Sequence, residues 1–174
     1  MEDLSLYLLD IVYNSIRARA TYIKIIIINK DIFKLRIEDN GIGMSEKEVH
    51  QVQDPFYTTR TTRKVGLGIP FLKLGALQTG GNFYLSSCEN KGTIIEADFI
   101  KSHLDCPPIG DLSSSLVTLI QADENITFDI DYEDETHHFN LNTNTIKELL
   151  DGVPINLPEV IIFLITYITE GMGL

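Results

Sequence analysis

Residues 22 to 39 hold two apolar stretches, YIKIIIIN and IFKLRIED, joined only by Lys30-Asp31 and stopped by a turn, IEDNGIGM, that mixes two acids with two glycines. Stretches this rich in isoleucine read as strands. Just upstream, LSLYLLDIVYNSIRARA (4 to 20) sets Leu4, Tyr7, Leu8, Ile11, Val12 and Ile16 near helical spacing, which predicts an amphipathic helix. After the turn, Ser45 with Glu48 three residues on predicts a capped short helix. DPFYTTRTTRKVGLG (54 to 68) has no stable period. IPFLKLGALQTGG predicts a helix with Pro70 in its first turn and Gly80-Gly81 at its end, and NFYLSSC and GTIIEADFI predict two more strands. An α/β layout follows for the first hundred residues.

The chain has 174 residues, 44% of them hydrophobic, enough for a sizeable core in one domain or in one domain with an appendage. Its charge is uneven. Residues 1–101 carry 13 Lys and Arg against 12 Asp and Glu, whereas 102–174 carry one against 13. The change falls at SHLDCPPIGD, where Pro107, Pro108 and Gly110 break regular structure. Residues 1–101 are therefore expected to be one functional unit, and 102–174 an acidic accessory region. In that region SSSLVTLIQA predicts a helix, ITFDIDY and HHFNLN a hairpin, TIKELLDG a short helix and LPEVIIFLITYITE a closing helix.

So acidic a region repels rather than neutralises nucleic-acid phosphates. The most apolar run, VIIFLITYI at 160 to 168, is bounded by Glu159 and Glu170 and is too short to span a bilayer, so it reads as a buried helix. MEDLSLYLLD has acids where a secretory signal would have cations, and a cytoplasmic protein is expected. Cys88 and Cys106 have no metal-like spacing and receive no role, and His137-His138 lacks a second ligand cluster.

Three constellations carry chemistry. Gly41 and Gly43 suit a tight turn that lets a ligand approach the backbone, and Asp39 at the strand's end can accept from adenine's exocyclic amine, where guanine presents a repelling carbonyl. GLGIPF (66 to 71) puts Gly66 and Gly68 before a helix whose unpaired N–H groups favour a phosphate. The preceding Thr58, Thr59, Thr61 and Thr62 hydroxyls and Arg60, Arg63 and Lys64 cations match a polyphosphate. So long an irregular stretch reads as a functional lid. Third, Asp10 and Asn14 share one face of the first helix; Asn14 can offer an oxygen to Mg²⁺, and Asp10 can serve as general base.

In order, Asp10-x-x-x-Asn14, Asp39-x-Gly41-x-Gly43, a Thr/Arg/Lys-rich segment ending Gly66-x-Gly68, and Gly92-Thr93 on a late strand resemble the N, G1, G2 and G3 boxes of the GHKL superfamily. Gyrase B, the Hsp90 chaperones, the MutL repair proteins, sensor histidine kinases and anti-sigma kinases belong to it. The resemblance covers residues 10 to 93. It implies a two-layer α/β (α+β) sandwich of the Bergerat type, a mixed sheet covered by helices, with ATP between the helices and a lid. It also implies that Asn14 binds Mg²⁺, that Asp39 binds adenine beside Gly41, Gly43 and Met44, and that Thr93 backs up Asp39. Thr58, Thr59, Arg60, Lys64, Gly66, Leu67 and Gly68 would hold the phosphates.

Two departures shape the functional expectation. Hydrolysing members of the superfamily commonly have glutamate where this chain has Asp10; aspartate is one methylene shorter, so slow turnover is expected. None of His50, His103, His137 and His138 lies on a helix preceding the nucleotide unit, as a self-phosphorylating kinase would need. The expected function is an ATP-binding switch acting on a protein partner through the acidic region. The alternatives are a protein kinase acting on a partner and a non-catalytic interaction protein.

Overall fold

Ile23, Ile25 and Ile27 are fully buried, while Lys24 and its alternate neighbours are only half-buried, so the first apolar stretch is a strand with one face in the core. This strand, β1 (Tyr22–Asn29), sits near the middle of the molecule. The structure is a computed structural model that describes residues 3–56 and 67–174.

Helix α1 (Leu4–Arg17) precedes β1, and β2 (Ile32–Asp39) follows it, pairing antiparallel from Ile23↔Asp39 to Asn29↔Phe33. Next come α2 (Glu46–Gln51), α3 (Gly68–Gln78), β3 (Phe83–Cys88) and β4 (Gly92–Ile100). Helix α4 (Leu112–Ala122), β5 (Thr127–Asp134), β6 (His138–Asn142), α5 (Thr143–Leu150) and α6 (Pro158–Met172) complete the chain. The sheet has the order β3-β4-β2-β1-β5-β6, and β1 and β5 are its parallel pair. It is mixed, as expected.

Alternation sets the layers. Phe33, Leu35 and Ile37 of β2, Ile95, Ala97 and Phe99 of β4, and Phe128, Ile130 and Tyr132 of β5 are buried with the β1 isoleucines in one core with α1, α3, α4 and α6. Burying each Leu, Ile or Phe side chain among them contributes about 1.5–3 kcal/mol. The opposite face is polar: Lys34 pairs with Asp98 at 3.5 Å, and Arg36 with Glu38 and Glu96. The result is a two-layer α+β sandwich.

The change of composition near residue 102 is a boundary in charge, not in packing. β5 pairs with β1 along its whole length, Tyr22↔Thr127 to Asn29↔Asp134, and Lys30 in the β1–β2 turn pairs with Glu133. Pro108 and Ile109 carbonyls accept from the Leu4 and Ser5 N–H groups (both 2.9 Å), which ties the break itself to the start of α1.

Two elements depart from the sequence reading. α1 stops at Arg17 rather than residue 20, because Arg19 takes a left-handed backbone, φ 59. α6 is not buried all round: Val160, Leu164, Ile168 and Met172 face the core, but Ile162, Phe163 and Tyr167 are exposed. Its hydrophobicity continues past the stripe that the sheet and α4 can cover. No helix among the described residues is long and apolar enough to cross a membrane.

Candidate functional site

The turn that ends β2 is clamped from two sides. From one side, the carbonyl of Ala18, which caps the C-terminus of α1, accepts from Ile42 N–H (2.9 Å), and Asn40 Oδ1 accepts from Thr21 and Tyr22 N–H (both 2.9 Å). From the other, Asn90 N–H donates to the Ile42 carbonyl (2.7 Å) from the β3–β4 turn. Gly43 is required there: its φ is +65, and an added Cβ would sit 2.0 Å from the Cys88 carbonyl oxygen. Met44 N–H donates to Ser87 Oγ (2.9 Å), so strand β3 fixes the exit of the turn.

Asp39 stands at the rim of this turn. Its Oδ1 accepts from Gly41 N–H (2.8 Å) and its Oδ2 from Ser15 Oγ (2.6 Å). Each oxygen retains a further lone pair for a ligand. Thr93 is the cross-strand partner of Asp39, but its hydroxyl is bonded to Ser87 Oγ (2.8 Å) rather than to the carboxylate. The side chain that directly holds Asp39, alongside the Gly41 N–H, is therefore that of Ser15, which the sequence reading passed over. Its signal was its place beside Asn14 on the inner face of α1, where a buried hydroxyl needs a partner. Ser87, which joins Met44 and Thr93, was missed because its partners lie 43 and six residues away.

Several of these groups line a cleft of about 900 Å³, at the upper end of small-molecule sites. Asn14, Ser15, Asp39, Gly43, Met44 and Thr93 contribute to its wall, with Ile11, Ile42, Ile69 and Ile95 supplying apolar surface. Asn14 Oδ1 accepts from Arg17 Nη1 (3.1 Å), and Arg17 is itself part of the lining.

Asp10, Gly41, Leu67 and Gly68 are not among the lining residues, although Asp10, Gly41 and Gly68 directly precede Ile11, Ile42 and Ile69, which are. Gly68, the first residue of α3, lies against Asp10: a Cβ there would come within 2.9 Å of Asp10 Cβ and 3.3 Å of Oδ2. The start of α3 thus meets α1 one turn before Asn14. Leu67 caps α3 without a side-chain hydrogen bond. Thr58, Thr59, Thr61, Thr62, Arg60, Arg63, Lys64 and Gly66 lie outside the described residues.

A family model described as histidine kinase-, DNA gyrase B- and HSP90-like ATPase matches residues 2–103, more than half of the chain. The chain belongs to this family. The histidine kinase-, gyrase B- and HSP90-like ATPase region thus spans α1 to β4 and contains every residue singled out above. The sensor histidine kinase WalK of Bacillus subtilis (strain 168) is 34% identical over 71 residues, 38% of this chain, and the match spans 12% of that protein's length. Similar folds occur in the N-terminal domain of a DNA repair protein (TM-score 0.53, 17% identity, 82% of this chain and 52% of that one). The ADP-bound ATPase domain of Aquifex aeolicus MutL is similar over 87% of this chain and 68% of its own (TM-score 0.51, 15% identity). An inhibitor-bound ATP-binding domain of Francisella tularensis topoisomerase IV matches 82% and 87% (TM-score 0.50, 18% identity). At these identities the structural likeness concerns the fold alone. At 82–87% of this chain, that likeness extends beyond residue 103, where the family-model match ends.

Proposed function

We propose that this chain binds Mg-ATP in the cleft between α1, the β2 turn and α3, and acts as a nucleotide-dependent switch with slow hydrolysis. The observation that carries this reading is Asp39, fixed by Ser15 and Gly41 with lone pairs to spare, opening onto the same apolar cleft as Asn14. Asp39 accepts from the adenine amine and repels the guanine carbonyl; Gly43, Met44 and Thr93 form the adjoining wall. Gly66, Leu67 and Gly68, with Thr58, Thr59, Arg60 and Lys64, serve the phosphates.

Asn14 is the Mg²⁺ ligand in this reading, and its donor chemistry fits: a hard amide oxygen on the cleft wall, with the Asp10 carboxylate one turn away. Mg²⁺ takes few protein ligands, keeping waters and using substrate phosphates. When bound, the cation neutralises charge developing on the phosphates. Asp10 acts as general base toward water at the α1–α3 junction, and its short side chain keeps turnover slow. The switch output is a protein partner that meets the acidic residues of 102–174, inside the cytoplasm.

Calorimetric titration of ATP, ADP and GTP with Mg²⁺ tests the binding reading. Wild type should prefer ATP strongly; Asp39→Asn should lose that preference and Asn14→Ala the Mg²⁺ dependence. Equal affinities for ATP and GTP in wild type would sink the assignment. Asp10→Asn should bind ATP normally but release no phosphate.

A second reading, transfer of the phosphate to a partner, is favoured by the likeness to a sensor histidine kinase. Radiolabelled ATP decides between them: label on a partner protein supports transfer, and label found only as free phosphate supports the switch.

A further inference from the structure

The exposed face of α6 is ordered chemically as well as apolar. At 100° per residue, Glu159, Phe163, Thr166, Tyr167 and Glu170 fall on one side of the helix with Ile162 beside them. Ile162 is 65% exposed and Phe163 52%. The aromatic pair is preorganised: Phe163 stacks on Tyr167 (5.7 Å between centroids, 15°), and Tyr167 meets buried Phe139 of β6 edge-on (5.4 Å, 66°). Gly171 lets the helix settle on Phe139, because a Cβ there would lie 2.2 Å from the ring. Rigid aromatic anchors of this kind dominate binding energy where partners meet.

Charge decides what covers this face. Glu159 and Glu170 bracket the apolar stripe about 16 Å apart along the helix, and Lys147, the single cation of residues 102–174, donates to the Glu124 carbonyl instead. A second copy is a poor occupant: an antiparallel pairing sets Glu159 against Glu170, and a parallel one sets each against itself. We infer that the α6 face docks an amphipathic helix of a partner protein, with an apolar stripe for Ile162 and Phe163 and a Lys or Arg at each end for Glu159 and Glu170. This deepens the partner element of the proposed function and rests on it. The helix dipole adds little, since each glutamate sits near a different end of α6.

The test uses the full chain and two labelled amphipathic peptides of roughly 18 residues, alike in their Leu/Ala stripe, with either Lys or Glu flanking it at the spacing of Glu159 and Glu170. Fluorescence anisotropy should show the Lys peptide binding at least about tenfold tighter than the Glu peptide, with the advantage fading in high salt. Ile162→Ser with Phe163→Ser should weaken it about tenfold or more. Glu159→Lys with Glu170→Lys should reverse the preference toward the Glu peptide. All these positions are exposed, and melting temperature and ATP affinity, read on the same samples, should stay unchanged. Equal binding of the two peptides, indifference to the serine pair, or no reversal by the lysine pair would overturn the proposal. So would sedimentation showing a dimer that Phe163→Ser dissolves, which would make a second copy the occupant. Failure of the wild-type chain to dock the Lys peptide while it still binds ATP refutes this inference alone; absence of ATP binding in every variant refutes the nucleotide reading instead.

Discussion

Gly68 opens α3 against Asp10 of α1, with room for no further carbon: a Cβ on residue 68 would lie 2.9 Å from that of Asp10. The glycine that the sequence marks for phosphates therefore has a second duty, the close approach of two helices. Gly68→Ala should destabilise the fold by about 1–3 kcal/mol through overpacking and weaken ATP binding with it. Asp10→Gly in the same chain should restore part of the loss, less about 1 kcal/mol for glycine within a helix. Thermal melts of the two singles and the double measure the coupling; simple additivity would contradict the contact.

The Ser15 hydroxyl donates to a carboxylate, and hydrogen bonds to charged groups contribute about 1.5–3 kcal/mol. Ser15→Ala should raise the Kd for ATP about ten- to hundredfold and narrow the gap between ATP and GTP, because Asp39 loses the contact that aims it. A Kd for ATP within about twofold of wild type, a shift of under 0.5 kcal/mol, would show that Gly41 N–H holds the carboxylate by itself.

Gly43→Ala meets both a left-handed backbone and the Cys88 carbonyl. Its expected effect is a loss of about 2 kcal/mol or more in stability, seen by denaturant titration. Because the turn also carries Ile42 and Met44 of the cleft, residual folded protein should bind ATP poorly.

Asp111 caps α4: its carboxylate accepts from Ser114 N–H and Oγ, and these bonds hold its pKa below the ordinary carboxylate value. A pKa lowered by folding gives stability that is present above the unfolded value, near 4, and is lost as the pH falls through the folded value. Asp111→Ala should cost about 0.5–2 kcal/mol at neutral pH, and the difference from wild type should shrink below about pH 3. Melting temperatures across pH 2–7 check this; a difference that grows toward acid would reverse the assignment.

Local rules made much of this protein legible from residues alone. The β-branched apolar runs YIKIIIIN and IFKLRIED, the Ser45–Glu48 capping box and the glycines after α3 act within a few residues, so strands, helix starts and turns follow from neighbours along the chain. Asp39, Asn14 and Gly43 were marked for the same reason, since acid, amide and glycine are unusual beside apolar stretches. Tertiary structure alone decided what touches what. That Ser15 rather than Thr93 holds Asp39 depends on how α1 lies across the end of β2, and that the acidic half extends the same sheet depends on a parallel pairing between residues about a hundred positions apart. The outer face of α6 stayed exposed because a sheet and one neighbouring helix cover only part of a helix's circumference, a limit of packing geometry that hydrophobicity along the chain does not encode.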